Sequence, residues 1–234
     1  MRALRFPASA LNPGGTPVIA LEPAMRSLEF ASCYVYAPCG ACAVSARSRS
    51  LCALIKAAAP PLVPIYARCV MRQAHLMPVL AEFFRTIDVL IPIPASEPSR
   101  PNRDYLPDRL AAAFVTEGLA SSAWRGLLRI RAVAKSATAA PGRRPTVLAH
   151  YDSMSVAPGS DLPGDARLLL IDDVVTKGRT LLAAAMRLHE AFPQAHITAF
   201  ALLRTLGFKD HLEGLLEPCV GRIGWRAGDA HRNP

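Results

Sequence analysis

Two kinds of apolar pattern alternate along the chain, and their order sketches a fold. Leu168-Leu169-Leu170-Ile171 is an aliphatic run without polar alternation, which predicts a strand buried on both faces of a parallel sheet. Asp172 and Asp173 stand at its end, followed by Thr176, Gly178 and Thr180. Leu181, Ala185, Leu188 and Phe192 then recur at spacings of 4, 3 and 4, so a helix is predicted, closed by Pro193. His196 to Leu203 reads as the next parallel strand, ending at Arg204 and Thr205. Upstream, the aliphatic strand at Ile87 to Ile93 runs through Pro92 and Pro94 into a small-residue turn at Ala95 and Ser96. Such a turn lies at the carboxyl edge of the sheet, where open α/β sheets bind ligands. Asp108 to Gly118 predicts a helix through Leu110, Ala113 and Phe114, with Gly118 as its cap. Leu127 to Ile130 predicts a shorter strand.

The first third is less regular. Residues 1 to 30 are rich in Pro, Gly and Ala, with a turn signal at Asn12 to Gly15. Cys33 to Tyr36 suits a short strand, and Pro38 to Cys42 a tight turn. Arg47 to Ala58 predicts a helix that keeps Arg47, Arg49 and Lys56 off its apolar side and ends before Pro60 and Pro61. Cys69 to Arg85 predicts another, kinked or divided at Pro78. Arg131 to Ser155 is a long polar and basic excursion, and such segments in compact domains are commonly functional. From Gly207 onward no pattern is assignable, and Trp225 reads as a packing residue.

The chemistry concentrates between Asp172 and Thr180. A loop of small and hydroxyl residues feeding a helix N-terminus directs unpaired backbone N–H groups and the positive end of the helix dipole at one spot, as a phosphate requires. Gly178 has no Cβ and allows close backbone approach, and Thr176 and Thr180 add hydroxyl donors. The two carboxylates would repel a second phosphate, and are suited to accept hydrogen bonds from sugar hydroxyls. Phosphate and diol side by side point to a ribose 5-phosphate site. A Gly-x-x-x-x-Gly-Lys-Ser/Thr loop is absent from the sequence, which disfavours a P-loop nucleotidase.

At these residues the sequence resembles the type I phosphoribosyltransferases, whose signature is an aliphatic strand, two acidic residues, two variable positions, then Thr/Ser, a variable position, Gly and Thr. Lys177 stands where Thr or Ser is usual, exchanging a hydroxyl for a cation. The resemblance spans about residues 87 to 205. It implies an α/β fold, a parallel sheet flanked by helices, with residues 1–86 as an N-terminal hood or appendage and 87–234 as the core that binds phosphoribosyl pyrophosphate (PRPP), with a C-terminal tail. It implies that Asp172 and Asp173 hold the ribose hydroxyls and that Val175, Thr176, Lys177, Gly178, Arg179 and Thr180 cradle the 5-phosphate. The Pro-x-Pro segment and the Leu203-Arg204-Thr205 ending are similar to the competence-protein-F-like branch, which implies pyrophosphate contacts from Ala95 and Ser96 with Arg100 and Arg103 nearby. A mobile loop that closes over the substrate is implied within Arg131 to Ser155. Lys135, Arg143 and Arg144 are its candidate catalytic cations, and His150 is a weaker candidate. The implied reaction transfers the phosphoribosyl group to a small nitrogenous acceptor with release of pyrophosphate. Mg²⁺ is the implied cofactor, carried by PRPP rather than by a protein site. Family members often dimerise, so a homodimer is in keeping with the resemblance.

Charge and cysteines add less. The formal net charge of +9 suits a polyanionic substrate, and suits nucleic acid equally. The resemblance also leaves sensing of PRPP or a nucleotide without turnover as an alternative, since some relatives are regulators, and the basic balance with the competence association of relatives adds competence-type DNA processing. No interleaving of aromatic and basic residues favours the DNA reading. The spacing of the six cysteines is not that of a secreted disulfide framework, which predicts a reducing cytoplasm. Prolines and glycines interrupt Phe6 to Met25, so it matches neither a signal core nor a membrane helix, and no membrane partner is expected. Cys39 and Cys42 form a Cys-x-x-Cys turn that zinc would fit with Cys33 and Cys52, although isolated thiols explain the spacing as well. Branch members with an N-terminal four-cysteine element lend the zinc reading some support.

Overall fold

The computed structural model describes residues 10–11, 17–18, 25–57, 59–134, 144–159, 162–207 and 212–234. In chain order the elements begin with β1 (Ala10–Leu11), β2 (Pro17–Val18), β3 (Ser27–Tyr36) and α1 (Ala43–Ala57). A 3-10 turn (Pro60–Leu62), α2 (Val63–Leu76), α3 (Pro78–Phe84), β4 (Val89–Pro92) and α4 (Leu106–Thr116) follow. Then come β5 (Ser122–Ala123), β6 (Leu127–Arg129), α5 (Val147–Asp152) and β7 (Met154–Val156). The chain ends with β8 (Arg167–Val175), α6 (Arg179–Ala191), β9 (His196–Thr205), β10 (Leu216–Arg226) and β11 (Asp229–Asn233).

Among the described residues the central sheet has seven strands in the order β11-β10-β3-β9-β8-β4-β5. From β3 to β5 every pairing is parallel, and β10 and β11 add an antiparallel edge. Helices cover both faces, which is why Leu168 to Ile171 show no alternation. On one face Leu168, Leu170, Ala199 and Ala201 pack against Leu182, Ala183 and Met186 of α6. On the other, Leu169, Ile171, Phe200 and Leu202 pack against Ile55, Val70, Leu80, Leu110 and Phe114 from α1 to α4. Phe200 is central there, in edge-to-face contact with Phe84 at 5.4 Å and Phe114 at 5.6 Å.

Two features differ from the sequence expectation. Ser27–Tyr36, expected inside an N-terminal hood, is an interior strand of the main sheet, parallel to β9 and antiparallel to β10. Its residues Leu28, Phe30, Ala31, Cys33 and Val35 are buried, so it serves both layers of the core. Helices α1 to α3 pack on the Phe200 face of the sheet, and the chain breaks between α2 and α3 at Met77, just before Pro78, where the sequence predicts a kink or division. The excursion after β6 also carries regular structure. Thr146 caps α5 by accepting a hydrogen bond from the Ala149 amide at 3.1 Å, and β7 pairs with β6 through Leu127↔Val156 and Arg129↔Met154. Val147 and His150, buried on α5, and Met154, buried at the start of β7, explain that order. No single helix among the described residues is long and apolar enough to cross a membrane.

Candidate functional site

The strand β8 extends past its aliphatic run, so Asp172 and Asp173 lie within the ladder rather than beyond it, with Asp172 opposite Ala201 and Val174 opposite Leu203. Both carboxylates are half-buried and locally braced: Asp172 Oδ1 accepts from the Asp173 amide and Asp173 Oδ1 from the Val174 amide, each at 2.9 Å. Burial, and then the charge of Asp173, push the Asp172 carboxyl well above its usual range, and Lys56 partly offsets this.

Past the strand the chain turns at Gly178 into α6. Gly178 adopts φ 83°, and a Cβ there would sit 2.6 to 2.7 Å from the side chain of Ile223 on β10. Glycine is needed both for the left-handed backbone and for the approach of β10 behind the loop. A cavity of ≈ 430 Å³ opens in front, lined by Asp172, Asp173 and every residue from Val174 to Leu181. Arg144 lines it too, and Tyr36, Pro38, Lys56 and Thr205 close its other walls.

The structure therefore gathers Asp172, Asp173, Val175, Thr176, Lys177, Gly178, Arg179, Thr180 and Arg144 around one space. Ala95, Ser96, Arg100 and Arg103 follow β4, the neighbour of β8, and do not line this cavity. Arg103 is turned to Glu97 at 3.1 Å and lies over the Tyr105 ring. Lys135 and Arg143 lie outside the described residues. Arg204 is buried and bonds Glu217, with Nη1 donating to its carbonyl at 2.6 Å, and it is its neighbour Thr205 that faces the cavity.

Several contacts escaped the sequence reading. The Arg179 guanidinium grips Asp229 of β11 with Nε and Nη2, both at 2.6 Å, while Nη1 donates to the Pro145 carbonyl at 3.1 Å. Its fork is thus engaged with protein groups, and the guanidinium acts as a strut between the loop, β11 and Pro145. Lys177 Nζ also reaches Asp229 at 3.4 Å. These cations, Arg179 foremost, pull the Asp229 carboxyl down to about 2. Asp229 is delivered by the hairpin of β10 and β11, whose turn residues Ala227 and Gly228 both have positive φ, as a two-residue turn requires. Arg232 on β11 donates to the carbonyls of Val175 at 3.3 Å and Thr205 at 2.5 Å, and the Thr176 and Thr205 hydroxyls lie 3.2 Å apart.

Arg129 braces the other flank. It is buried, and donates to the Ala95 carbonyl at 2.8 Å, the Pro94 carbonyl at 3.3 Å and Ser153 Oγ at 2.5 Å. Burial lowers its pKa to about 10, with Asp172 opposing. An arginine inside the apolar run Leu127 to Ile130 was the available signal for it. Asp229 carried no comparable signal.

Metal ligation is a poorer fit. Cys33 is buried in β3, its thiol pushed up to about 12 by burial, and Cys52 is buried on α1. Cys39 is exposed, and at the start of α1 the Ser45 hydroxyl, 3.2 Å from Cys42 Sγ, and then the Ser45 amide, donating to it at 3.4 Å, draw the Cys42 thiol down to about 6. Among the described residues no three His, Cys, Asp or Glu side chains are grouped to hold a metal ion. No protein-family model and no curated protein matches the sequence.

Proposed function

We propose that this protein binds PRPP and transfers its phosphoribosyl group to a nitrogenous acceptor, releasing pyrophosphate, as the likeness to type I phosphoribosyltransferases and their competence-protein-F-like branch implies. The observation that supports this reading most is the meeting of a carboxylate pair and an N–H-rich loop at a helix start in one cavity, at the carboxyl edge of a parallel sheet. Asp172 and Asp173 would accept from the ribose hydroxyls, and the backbone of Thr176 to Thr180 with the two threonine hydroxyls would hold the 5-phosphate. Mg²⁺ would enter as part of the substrate, carried by PRPP, and would help to neutralise the leaving pyrophosphate.

In this reading the chain does little covalent work. The acceptor nitrogen attacks the anomeric carbon as the bond to pyrophosphate breaks, and both electrons of that bond leave with pyrophosphate. The protein holds sugar and phosphate in place and neutralises the leaving group, with Arg144 at the cavity wall as the described candidate. A preorganised charge contact of this sort commonly contributes on the order of 2 to 4 kcal/mol to the transition state.

A second reading, sensing of PRPP or a nucleotide without turnover, is favoured by the position of Ala95, Ser96, Arg100 and Arg103 away from the cavity lining. Calorimetric titration with PRPP, with and without Mg²⁺, followed by a pyrophosphate-release assay with pooled bases and amines, tests both. Binding with release supports the transferase, binding without release the sensor. The double variant Asp172→Asn, Asp173→Asn is expected to fold and to lose PRPP binding, and wild-type affinity in it would overturn the sugar-site assignment.

A further inference from the structure

Behind the loop, His150 on α5 is 3% exposed, and its Nε2 lies 3.4 Å from Thr180 Oγ1. Its Nδ1 is buried and has no hydrogen-bond partner among the described residues. The His150 carbonyl is engaged separately, accepting from Ser153 Oγ at 2.7 Å and from the Ser153 amide at 3.2 Å. Burial, and then the charges of Arg129 and Arg179, pull the imidazole down to about 4, so at neutral pH the ring carries one proton. That proton is on one nitrogen or the other, and the choice decides what Thr180 can offer the cavity.

With the proton on Nδ1, a buried N–H would lack an acceptor, which costs its full desolvation. Nε2 would then accept, and the single hydroxyl proton of Thr180 would be spent inside the protein. With the proton on Nε2, the orphan at Nδ1 is a lone pair, which proteins tolerate better than an orphan N–H. Nε2–H then donates to Thr180 Oγ1 and leaves the hydroxyl proton for the cavity.

We propose that His150 is a positioning residue that donates from Nε2 to Thr180 Oγ1 and thereby turns the Thr180 hydroxyl into a fixed donor for an anionic oxygen in the cavity. The inference rests on the phosphate reading of the Thr176 to Thr180 loop. It adds a defined tautomer and a role for a histidine that would touch no ligand. Such a donor suits an acceptor-only oxygen, as in a phosphate monoester, and gives nothing to a ligand that offers only donors.

Two measurements test it. Long-range proton–nitrogen NMR correlation of the imidazoles in the full chain is expected to show His150 protonated at Nε2 and unprotonated at Nδ1 at neutral pH, and the reverse pattern would overturn the proposal. Calorimetry with ribose 5-phosphate is expected to show affinity falling about tenfold in His150→Met and in Thr180→Val, roughly 1.4 kcal/mol each. The double variant should be no weaker than either single one, because the two residues act as a unit. His150→Gln, which restores an amide N–H near the Nε2 position, should recover most of the loss. Additive losses, or wild-type affinity in His150→Met, would overturn the proposal. If the wild type itself ignores ribose 5-phosphate, the phosphate reading fails, and the His150 assignment then stands or falls on the tautomer alone.

Discussion

Charge at single residues sets how the cavity responds to pH. Asp172 sits beside a like charge in a half-buried position, so its protonated form is favoured relative to an exposed aspartate. A protonated Asp172 accepts fewer hydrogen bonds, and affinity for a ribose diol should fall as pH drops through its raised pKa. Lys56, at the last turn of α1, counters that shift from across the cavity. Lys56→Met should therefore raise the pH at which ribose 5-phosphate binding is lost, read against wild type by calorimetry across a pH series. The titration of the phosphate itself is common to both proteins, and coincident profiles would show that Lys56 is simply solvated.

Asp229 behaves in the opposite sense. Its folded pKa of about 2 lies below the ordinary 3.8, so the Arg179 pair stabilises the fold fully above the ordinary value and loses that contribution as pH falls toward 2. A shift of this size corresponds to about 2 kcal/mol. Asp229→Asn should lower stability at pH 7 by about that amount, with the gap to wild type closing below about pH 4 in denaturant titrations. A gap independent of pH would mean that shape, not charge, is what Asp229 supplies.

At the scale of elements, the hairpin of β10 and β11 acts as the back wall of the loop from Thr176 to Thr180. Ile223 presses on Gly178, Asp229 holds Arg179, and Arg232 holds the carbonyls of Val175 and Thr205. Gly178→Ala meets both costs at once: a left-handed backbone, worth about 1 kcal/mol, and overpacking against Ile223, worth about 1 to 3 kcal/mol. A total near 2 to 4 kcal/mol is expected from thermal or denaturant unfolding. In the background of Ile223→Ala the overpacking part should vanish while the backbone part remains, and an unchanged penalty would show that the steric account is mistaken. The same wall explains why the Arg179 guanidinium, in a loop that lines the cavity, is engaged by Asp229 and the Pro145 carbonyl.

For the whole molecule, the decisive feature is β3. It lies between β9 and β10, so the sheet cannot be completed without a segment that precedes helices α1 to α3. A chain beginning at residue 87 would leave β9 unpaired on one edge, and β10 and β11, with Asp229, would lose their attachment to the sheet. Such a truncation should aggregate or melt without a cooperative transition, whereas a chain beginning at residue 25 keeps every strand of the main sheet. Circular dichroism melts of the two chains check this, and a cooperative transition in the shorter one would show that β3 is dispensable.

The strand, turn and helix from Leu168 to Phe192 were legible because their signals are local. Aliphatic runs, helical spacing and a glycine at the helix start act between residues a few positions apart, and the candidate carboxylates and hydroxyls lie inside that stretch. Sequence pattern also placed β4, α4 and β9, and marked Arg131 to Ser155 as unusual, though not that Val147, His150 and Met154 would order part of it. What only the tertiary structure decided is which distant groups meet: Arg179 with Asp229 across 50 positions, Arg129 with Ala95 across 34, His150 with Thr180 across 30. Hydrogen-bond partners at such separations leave no periodic trace, because they are chosen by how the layers pack. The same holds for β3, a short apolar strand in sequence that becomes an interior strand because β9 and β10 each leave it one edge to fill.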